Sequence, residues 1–168
     1  MRKSKKKLGE KLKMKLITDT NKIIACLLRD GKVRRILFLP FLELYTVQHA
    51  FEEIEKHRDK LLTKVSESAF DLILLKAKKR LKSVEFSAED RECIRTAKKI
   101  AEEFDPDDFP FIALSLKLNA PIWTNDKKLI EFSLKTKKYT ALDTQAIEDL
   151  LSGKDMEVVL EELKKRVF

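Results

Sequence analysis

Short apolar runs alternate with amphipathic helical periods along most of the chain. Residues 14–18 (MKLIT) form an apolar run that stops at Asp19, a pattern typical of a buried parallel strand. The following segment, 21–31, predicts a helix with Gly31 as its C-cap. The apolar side chains that we expect on its buried face are Ile23, Ile24, Leu27 and Leu28. A short second helix is predicted to end at Pro40.

The same alternation continues to the end of the chain. Further strands are predicted at 41–47, 83–86, 120–124 and 139–142. Further helices are predicted at 47–57, 66–82, 87–104, 107–118, 127–132, 143–153 and 155–167. Short apolar strands alternating with helices are typical of an α/β fold, in which helices cover both faces of a parallel sheet.

Composition narrows the class of protein. A chain of 168 residues corresponds to one ordinary domain. Apolar residues at 43% and charged residues at 38% exclude both a disordered chain and a membrane protein. Three Gly and four Pro argue against a turn-rich all-β fold. Cys26 and Cys93 both lie in apolar helical patterns, so we interpret them as reduced core residues of a cytoplasmic protein.

The net charge of +8 is concentrated at one end of the chain. Residues 1–13 carry seven Lys/Arg and one Glu, which accounts for +6 of that total. This segment is expected to be a flexible extension, acting as a nucleic-acid-binding arm or merely lying upstream of a start at Met14. The domain proper is predicted at 14–142, and residues 143–168 are predicted to form helices packed on it.

Acidic residues follow two of the predicted strands. Asp19 comes directly after the first strand, Asp126 follows the strand at 120–124, and Asp107 and Asp108 lie at a helix start. Each is also well suited to be a helix N-cap. Carboxylates that crowd together must protonate or gain a cation, and oxygen ligands suit Mg²⁺ and Mn²⁺. Such a cluster favours hydrolysis of a phosphoester.

Four segments carry a family resemblance. They are LITDTN at 16–21, EEI at 52–54, DPDDFPFIAL at 105–114 and IWTNDKKL at 122–129. In this order and spacing they resemble the PIN-domain family, which includes the VapC toxins. The resemblance implies a three-layer α/β/α sandwich with a central, mostly parallel sheet. It also implies metal-dependent cleavage of RNA, or of structured DNA in some members.

The resemblance implies a set of four catalytic acids. These are Asp19, Glu53, Asp108 and Asp126, of which the three aspartates hold the metal. Glu52 and Glu55 are alternatives to Glu53 on the same predicted helix, and Asp105 and Asp107 are alternatives to Asp108.

Four further side chains are expected around these acids. Asn21 and Thr124 are expected to orient ligands from an outer shell, although Asn21 fits a plain first-turn helix residue nearly as well. Lys127 and Lys128 are expected to contact the phosphate backbone, or else to be solvated. RNA is the expected substrate, and the resemblance also implies a small antitoxin partner and a homodimer. The alternative is a PIN-like module that binds nucleic acid or protein without cutting.

Overall fold

A computed structural model describes residues 14–168 of the chain. The basic extension predicted at 1–13 lies outside the described residues. Within 14–168, strands and helices alternate in the order that the sequence predicts.

Five parallel strands form one sheet in the described part of the chain. They are β1 (Met14–Thr18), β2 (Leu42–Val47), β3 (Leu81–Val84), β4 (Ile122–Trp123) and β5 (Ala141–Leu142). Their order across the sheet is β3-β2-β1-β4-β5. In the centre, Ile17 of β1 pairs with Tyr45 of β2 on one side and with Ile122 of β4 on the other. The prediction of an α/β fold with a parallel sheet is therefore confirmed.

Helices connect successive strands. They are α1 (Thr20–Leu28), α2 (Lys32–Leu37), α3 (Gln48–Lys56), α4 (Arg58–Leu61), α5 (Glu67–Arg80), α6 (Arg91–Glu102), α7 (Phe109–Leu118), α8 (Lys127–Thr136), α9 (Thr144–Leu151) and α10 (Met156–Val167). Two short 3₁₀ helices, Ala88–Asp90 and Pro106–Asp108, precede α6 and α7. None of the helices described in 14–168 is long and apolar enough to cross a membrane.

The strand order explains the three layers. From β1 to β3 the chain moves across the sheet in one direction, and from β3 through β4 to β5 it moves in the other. Because crossovers between parallel strands are right-handed, the helices of the two halves cover opposite faces. Accordingly α1 packs with α3 and α5, whereas α7 packs with α6 and across β1, β2 and β4. Both faces of the strands are buried, and Leu16, Ile17 and Trp123 are completely inaccessible.

The predicted ends of the first helix are wrong, and its buried face is only half as predicted, since Ile23 and Leu27 are buried. The helix ends at Leu28 with Arg29 as its C-cap, and Gly31 is instead the N-cap of α2, in extended backbone. The buried side chains of α1 include Lys22 and Cys26, while Ile24 and Leu28 are only partly covered. The buried face therefore includes the position before each predicted pair, Lys22 and Cys26, as well as Ile23 and Leu27.

Other boundaries also differ from the predictions. The helix predicted at 66–82 ends at Arg80, and the strand predicted at 83–86 begins at Leu81. The apolar side chain of Leu81, which fits the helical stripe, is buried by the sheet instead. The helix predicted at 127–132 extends to Thr136, and β5 covers only the end of the segment 139–142. Cys26 is buried as expected, but Cys93 is only partly covered.

The last two helices lie against the second half of the sheet. Asp143 caps α9, since its Oδ1 accepts a hydrogen bond from the Ala146 amide at 2.8 Å. Gly153 follows α9 with φ +104°, which favours glycine because a Cβ is strained there. Helix α10 then packs against α8 and α9 and buries Val159 and Leu163.

Candidate active site

The direction of the chain reverses between β1 and β4, which are adjacent and parallel. In open parallel sheets this point leaves a crevice at the carboxyl ends of the strands, where ligands bind. Asp19 directly follows β1, and Asp126 follows β4 by two residues. The Asp19 amide donates to the carbonyl of Trp123 at 3.2 Å, so the two strand ends are joined here.

Thr124 connects the two acidic segments. Its hydroxyl donates a hydrogen bond to Oδ2 of Asp19 at 2.6 Å, and its Oγ1 accepts one from the Asp126 amide at 3.0 Å. Thr124 is completely buried. The hydroxyl therefore fixes the orientation of the Asp19 carboxylate and the path of the loop that leads to Asp126.

Asp19 and Asp126 both stand at helix N-caps, but they use their carboxylates differently. Oδ1 of Asp126 accepts hydrogen bonds from the amides of Lys128 at 3.0 Å and Leu129 at 3.4 Å, so this side chain does cap α8. The side chain of Asp19 makes no capping hydrogen bond of good geometry to α1, although the nearby amides of Asn21 and Thr20 lower its pKa. Capping thus explains one oxygen of Asp126, while Oδ2 of Asp19 accepts its short hydrogen bond from Thr124.

Asp108 ends the 3₁₀ helix that leads into α7. Its Oδ2 is buried and has no hydrogen-bond partner among the described residues. Its neighbour Asp105 is the capping residue, with Oδ1 accepting from the Asp107 amide at 3.0 Å, and Asp107 is exposed. Buried carboxylate oxygens are almost always paired, so the unpaired Oδ2 of Asp108 calls for a ligand or a proton.

The three aspartates Asp19, Asp108 and Asp126, here called the aspartate cluster, influence one another electrostatically. Burial raises the pKa of Asp108, and together with the negative charges of Asp105, Asp126, Asp19 and Asp107 it brings that pKa to about 7. Burial also raises the pKa of Asp19; the hydrogen bond from Thr124 opposes this, while the charge of Asp126 adds to it. Such repulsion is relieved by a proton or by a cation.

The chemistry of the aspartate cluster fits a hard divalent cation. All its donors are carboxylate oxygens, which Mg²⁺ and Mn²⁺ prefer, and Oδ2 of Asp108 is free to coordinate. Within residues 14–168, however, no three Asp, Glu, His or Cys side chains converge closely enough to hold an ion as they stand. Binding would therefore require the carboxylates to come closer together, chiefly that of Asp108, whose Oδ2 has no partner among the described residues.

Glu53 lines a cavity that none of the three aspartates of the cluster lines. Its Oε1 is 3.2 Å from Nε2 of His49, one turn earlier on α3. Glu53 and His49 line a cavity of about 720 Å³ together with Asp107 and the ring of Phe109. The two alternatives point elsewhere: Glu52 and Glu55 line a separate groove. Of the three glutamates, Glu53 is thus the one that shares a cavity with Asp107, the neighbour of Asp108.

The other predicted residues lie on the surface of the site. Asn21 is exposed in the first turn of α1. Lys127 and Lys128 are exposed in the first turn of α8, and Nζ of Lys127 is 3.7 Å from Glu131. These positions leave both lysines available to an anionic ligand that approaches Asp126.

Sequence reasoning missed a buried lysine next to Asp19. Lys22 is only 4% exposed, and its Nζ donates to Oγ1 of Thr144 at 3.2 Å. The same oxygen accepts a hydrogen bond from Nε1 of Trp123 at 3.1 Å. A signal was present, because Lys22 lies four residues before Cys26 and so shares its helix face.

Comparison with known families agrees with this geometry. The family model described as PIN domain matches residues 17–148. The matched range begins within β1, ends within α9 and includes the whole aspartate cluster. A comparison with curated proteins finds no significant match.

Proposed function

The chain belongs to the PIN-domain family, a family of nucleases, and from that premise we propose that it is a metal-dependent endoribonuclease. The observation that carries the proposal is the aspartate cluster at the reversal of the sheet. Burial and the negative charges of nearby aspartates, Asp105 first and then Asp126 and Asp19, raise the pKa of Asp108, and one buried oxygen of Asp108 has no partner among the described residues. A purely structural cluster would have its buried carboxylates paired.

In this proposal Asp19, Asp108 and Asp126 hold Mg²⁺ or Mn²⁺. A bound divalent cation would lower the pKa of water and neutralise charge on the scissile phosphate. Thr124 keeps Asp19 in one orientation through its 2.6 Å hydrogen bond. Asp126 is held by its capping bonds, which use Oδ1 and leave Oδ2 for the ion. Glu53, at the wall of the adjoining cavity, completes the acidic site when substrate is present.

RNA would approach over the first turn of α8. Lys127 and Lys128 are exposed there, directly after Asp126, and their charges attract the phosphodiester backbone. Contacts of this kind weaken steeply as the salt concentration rises. The outer-shell role of Asn21 would be to contact a ligand from the first turn of α1.

A more specific form of the proposal is that the chain is the toxin of a toxin–antitoxin pair. It follows from the resemblance to VapC toxins, as do a small antitoxin partner and a homodimer. The chemistry of the site supports cleavage, and it is the same for a toxin and for an RNA-processing enzyme.

One observation favours a second candidate function, a PIN-like module that binds nucleic acid or protein without cutting. As they stand, no three acidic, His or Cys side chains in residues 14–168 converge on a point. Such a module has no need of Mn²⁺, so a requirement for metal separates the two functions.

The test is cleavage of a mixed pool of single-stranded RNA, with a DNA pool of the same sequences in parallel. The wild-type protein is assayed with Mn²⁺ and with EDTA, and Asp126→Asn with Mn²⁺. Asparagine still caps a helix, so this variant should fold while it loses the charge. The matched control is Asp155→Asn, at the exposed N-cap of α10.

The proposal predicts that wild type and Asp155→Asn cut RNA with Mn²⁺. EDTA or Asp126→Asn should abolish cutting. Cleavage that survives Asp126→Asn would contradict the assigned site, and binding of RNA without cleavage under every condition would favour the non-catalytic module. Preferential cutting of the DNA pool would correct the substrate and leave the site in place.

A further inference from the structure

The cavity that Glu53 lines, here called the aromatic cavity, lies at the carboxyl ends of β2 and β3. Val47 and Val84, the last residues of these strands, form part of its wall. The five strands are parallel, so this is also the edge of the sheet at which Asp19 and Asp126 follow β1 and β4. The aromatic cavity and the aspartate cluster therefore share one edge of the sheet.

The segment that carries Asp108 connects the two places. Asp107 and Phe109, its neighbours in sequence, both line the aromatic cavity, as does Pro110. Consecutive Cα atoms are only about 3.8 Å apart. A strand of nucleic acid that binds at Asp108 therefore has the cavity within reach of an adjoining nucleotide.

Two phenylalanine rings, Phe86 and Phe109, line the aromatic cavity. Each ring packs partly against the core and is half-buried. The volume of about 720 Å³ is that of a small-ligand site, and such sites combine apolar and aromatic walls with a few polar groups. Nucleobases stack on aromatic side chains because every base has a π-face.

Carboxylates supply the fixed charge of the aromatic cavity. Glu53, Glu85 and Asp107 line it, and none of its described lining residues is Lys or Arg. Nε2 of His49 is 3.2 Å from Oε1 of Glu53, and Oε2 of that carboxylate is not part of this pair. Such a wall repels phosphate and attracts hydrogen-bond donors. The exocyclic amino groups of cytosine and adenine are such donors, whereas uracil has a carbonyl at that position.

A positive charge lies next to one of the rings. Lys98 on α6 is exposed, and its Nζ is 5.1 Å from the centre of the Phe109 ring. Lys98 is not among the described residues that line the cavity. The acceptors that suit a base are therefore inside the cavity, and the cation that suits a phosphate is outside it.

We infer that the aromatic cavity is a nucleobase subsite. One base of single-stranded RNA stacks on Phe86 and Phe109, and the carboxylates accept hydrogen bonds from its amino group. Cytosine and adenine are therefore bound in preference to uracil, and Lys98 attracts the adjoining phosphate. The inference rests on the proposed function, because it takes RNA as the ligand, but the binding step requires no metal.

The test is equilibrium binding of fluorescein-labelled cytidine and uridine octanucleotides, measured by anisotropy in EDTA. The two RNAs carry the same charge and differ in the amino group of the base. Phe109→Leu removes one ring and keeps an apolar side chain. Its matched control is Phe168→Leu, because the Phe168 ring also has a lysine nearby, with Lys135 Nζ at 5.5 Å, but is exposed.

A second pair of variants tests the carboxylates. Glu53→Gln combined with Glu85→Gln removes two negative charges from the cavity and supplies amides that donate as well as accept. Its control combines Glu157→Gln with Glu161→Gln, which removes two charges from exposed positions on α10. Thermal melts establish that each variant is folded.

We expect wild type to bind the cytidine octanucleotide roughly fivefold more tightly than the uridine one, the effect of about one hydrogen bond. Phe109→Leu should weaken the binding of both RNAs roughly fivefold. The variant with Glu53 and Glu85 replaced should bind both RNAs with similar affinity, and both controls should match wild type. The inference would be overturned if wild type bound the two RNAs equally, if Phe109→Leu bound like Phe168→Leu, or if the doubly replaced variant kept the wild-type preference.

Cleavage of the mixed RNA pool with Mn²⁺ separates this inference from the proposed function. If the expected binding pattern is found and the pool is not cut, the nucleobase subsite stands and the proposed cleavage is contradicted. If the pool is cut and wild type binds the two octanucleotides equally, cleavage stands and the subsite is refuted. Absence of binding of either RNA to the folded wild type at low salt would also refute the subsite.

Discussion

Asp90 and Asp108 each end a short 3₁₀ helix that leads into a longer helix, yet their surroundings are opposite. Asp90 accepts hydrogen bonds from Lys117 Nζ at 2.8 Å and from the Ser87 amide at 2.8 Å, and these partners lower its pKa. Asp108 has a buried oxygen without a partner among the described residues, and burial with neighbouring negative charge raises its pKa to about 7.

The difference separates an acid that stabilises the fold from one that, in the proposed function, binds a metal ion. Ser87, Asp90 and Lys117, here called the capping cluster, satisfy one another within the protein. Within residues 14–168, Asp108 has no such cation partner. Since the local sequence position of the two acids is so similar, only the partners brought by tertiary structure distinguish them.

The largest expected effect is loss of cleavage in Asp108→Asn. Replacing this carboxylate removes a ligand that the proposed ion needs, so we expect the rate to fall by roughly a thousandfold or more. Initial rates on RNA at saturating Mn²⁺ would measure this. Activity within tenfold of wild type would remove Asp108 from the site and break the contrast with Asp90.

A smaller loss of cleavage is expected for Thr124→Val. The variant keeps the shape of the buried side chain but deletes the hydroxyl that orients Asp19 and binds the Asp126 amide. Partners that orient metal ligands typically contribute about 10–100-fold to metal affinity or activity. Mn²⁺ titrations of cleavage should show that range, with Thr136→Val on α8 as the matched control. Equal losses in both variants would show that Thr124 acts only through packing.

Asp90→Asn should lower the stability of the fold and leave the rate of cleavage unchanged. The variant weakens the charged hydrogen bond from Lys117, so the melting temperature should fall by a few degrees. Cleavage per folded molecule should match wild type. A large loss of cleavage with an unchanged melt would mean that the capping cluster, too, serves the site.

The smallest effect concerns pH in the metal-free protein. Because the pKa of Asp108 is about 7 when folded and near 3.8 ordinarily, the folded chain keeps a proton that the unfolded chain releases. The stabilising effect of this proton is complete below about pH 4 and is lost as the pH rises to about 7. We therefore expect the free energy of unfolding of Asp108→Asn, relative to that of wild type, to increase by about 1–2 kcal/mol between pH 5 and pH 8. This value is reduced for solvent screening. Urea unfolding in EDTA would check this, and a constant difference between the proteins would contradict it.

Much of the fold could be predicted from the sequence. The strand–helix alternation follows from local periodicity, and apolar runs such as 14–18 mark strands buried on both faces. The ends of helices and strands were mispredicted where burial overrides periodicity. Leu81 fits the stripe of α5 but joins β3, and Gly31 begins α2 in extended backbone because the chain had already left α1 at Arg29.

The site was predictable only in part. Asp19 and Asp126 follow strand ends, so their meeting at one edge of the sheet follows from topology. The burial of Asp108 and the cavity that Glu53 lines depend on distant segments that no local pattern reveals. Lys22 was missed because a lysine in a first helical turn is usually solvated, whereas here the ends of β4 and β5 cover it.

The most direct test of the account is the thermal melt of wild type, Asp108→Asn and Asp90→Asn against increasing Mn²⁺ at pH 7.5. An ion that binds only the folded state raises the melting temperature with its concentration. The account predicts this rise for wild type and for Asp90→Asn, and none for Asp108→Asn. An equal rise in all three proteins, or no rise in wild type, would contradict a metal site at the aspartate cluster.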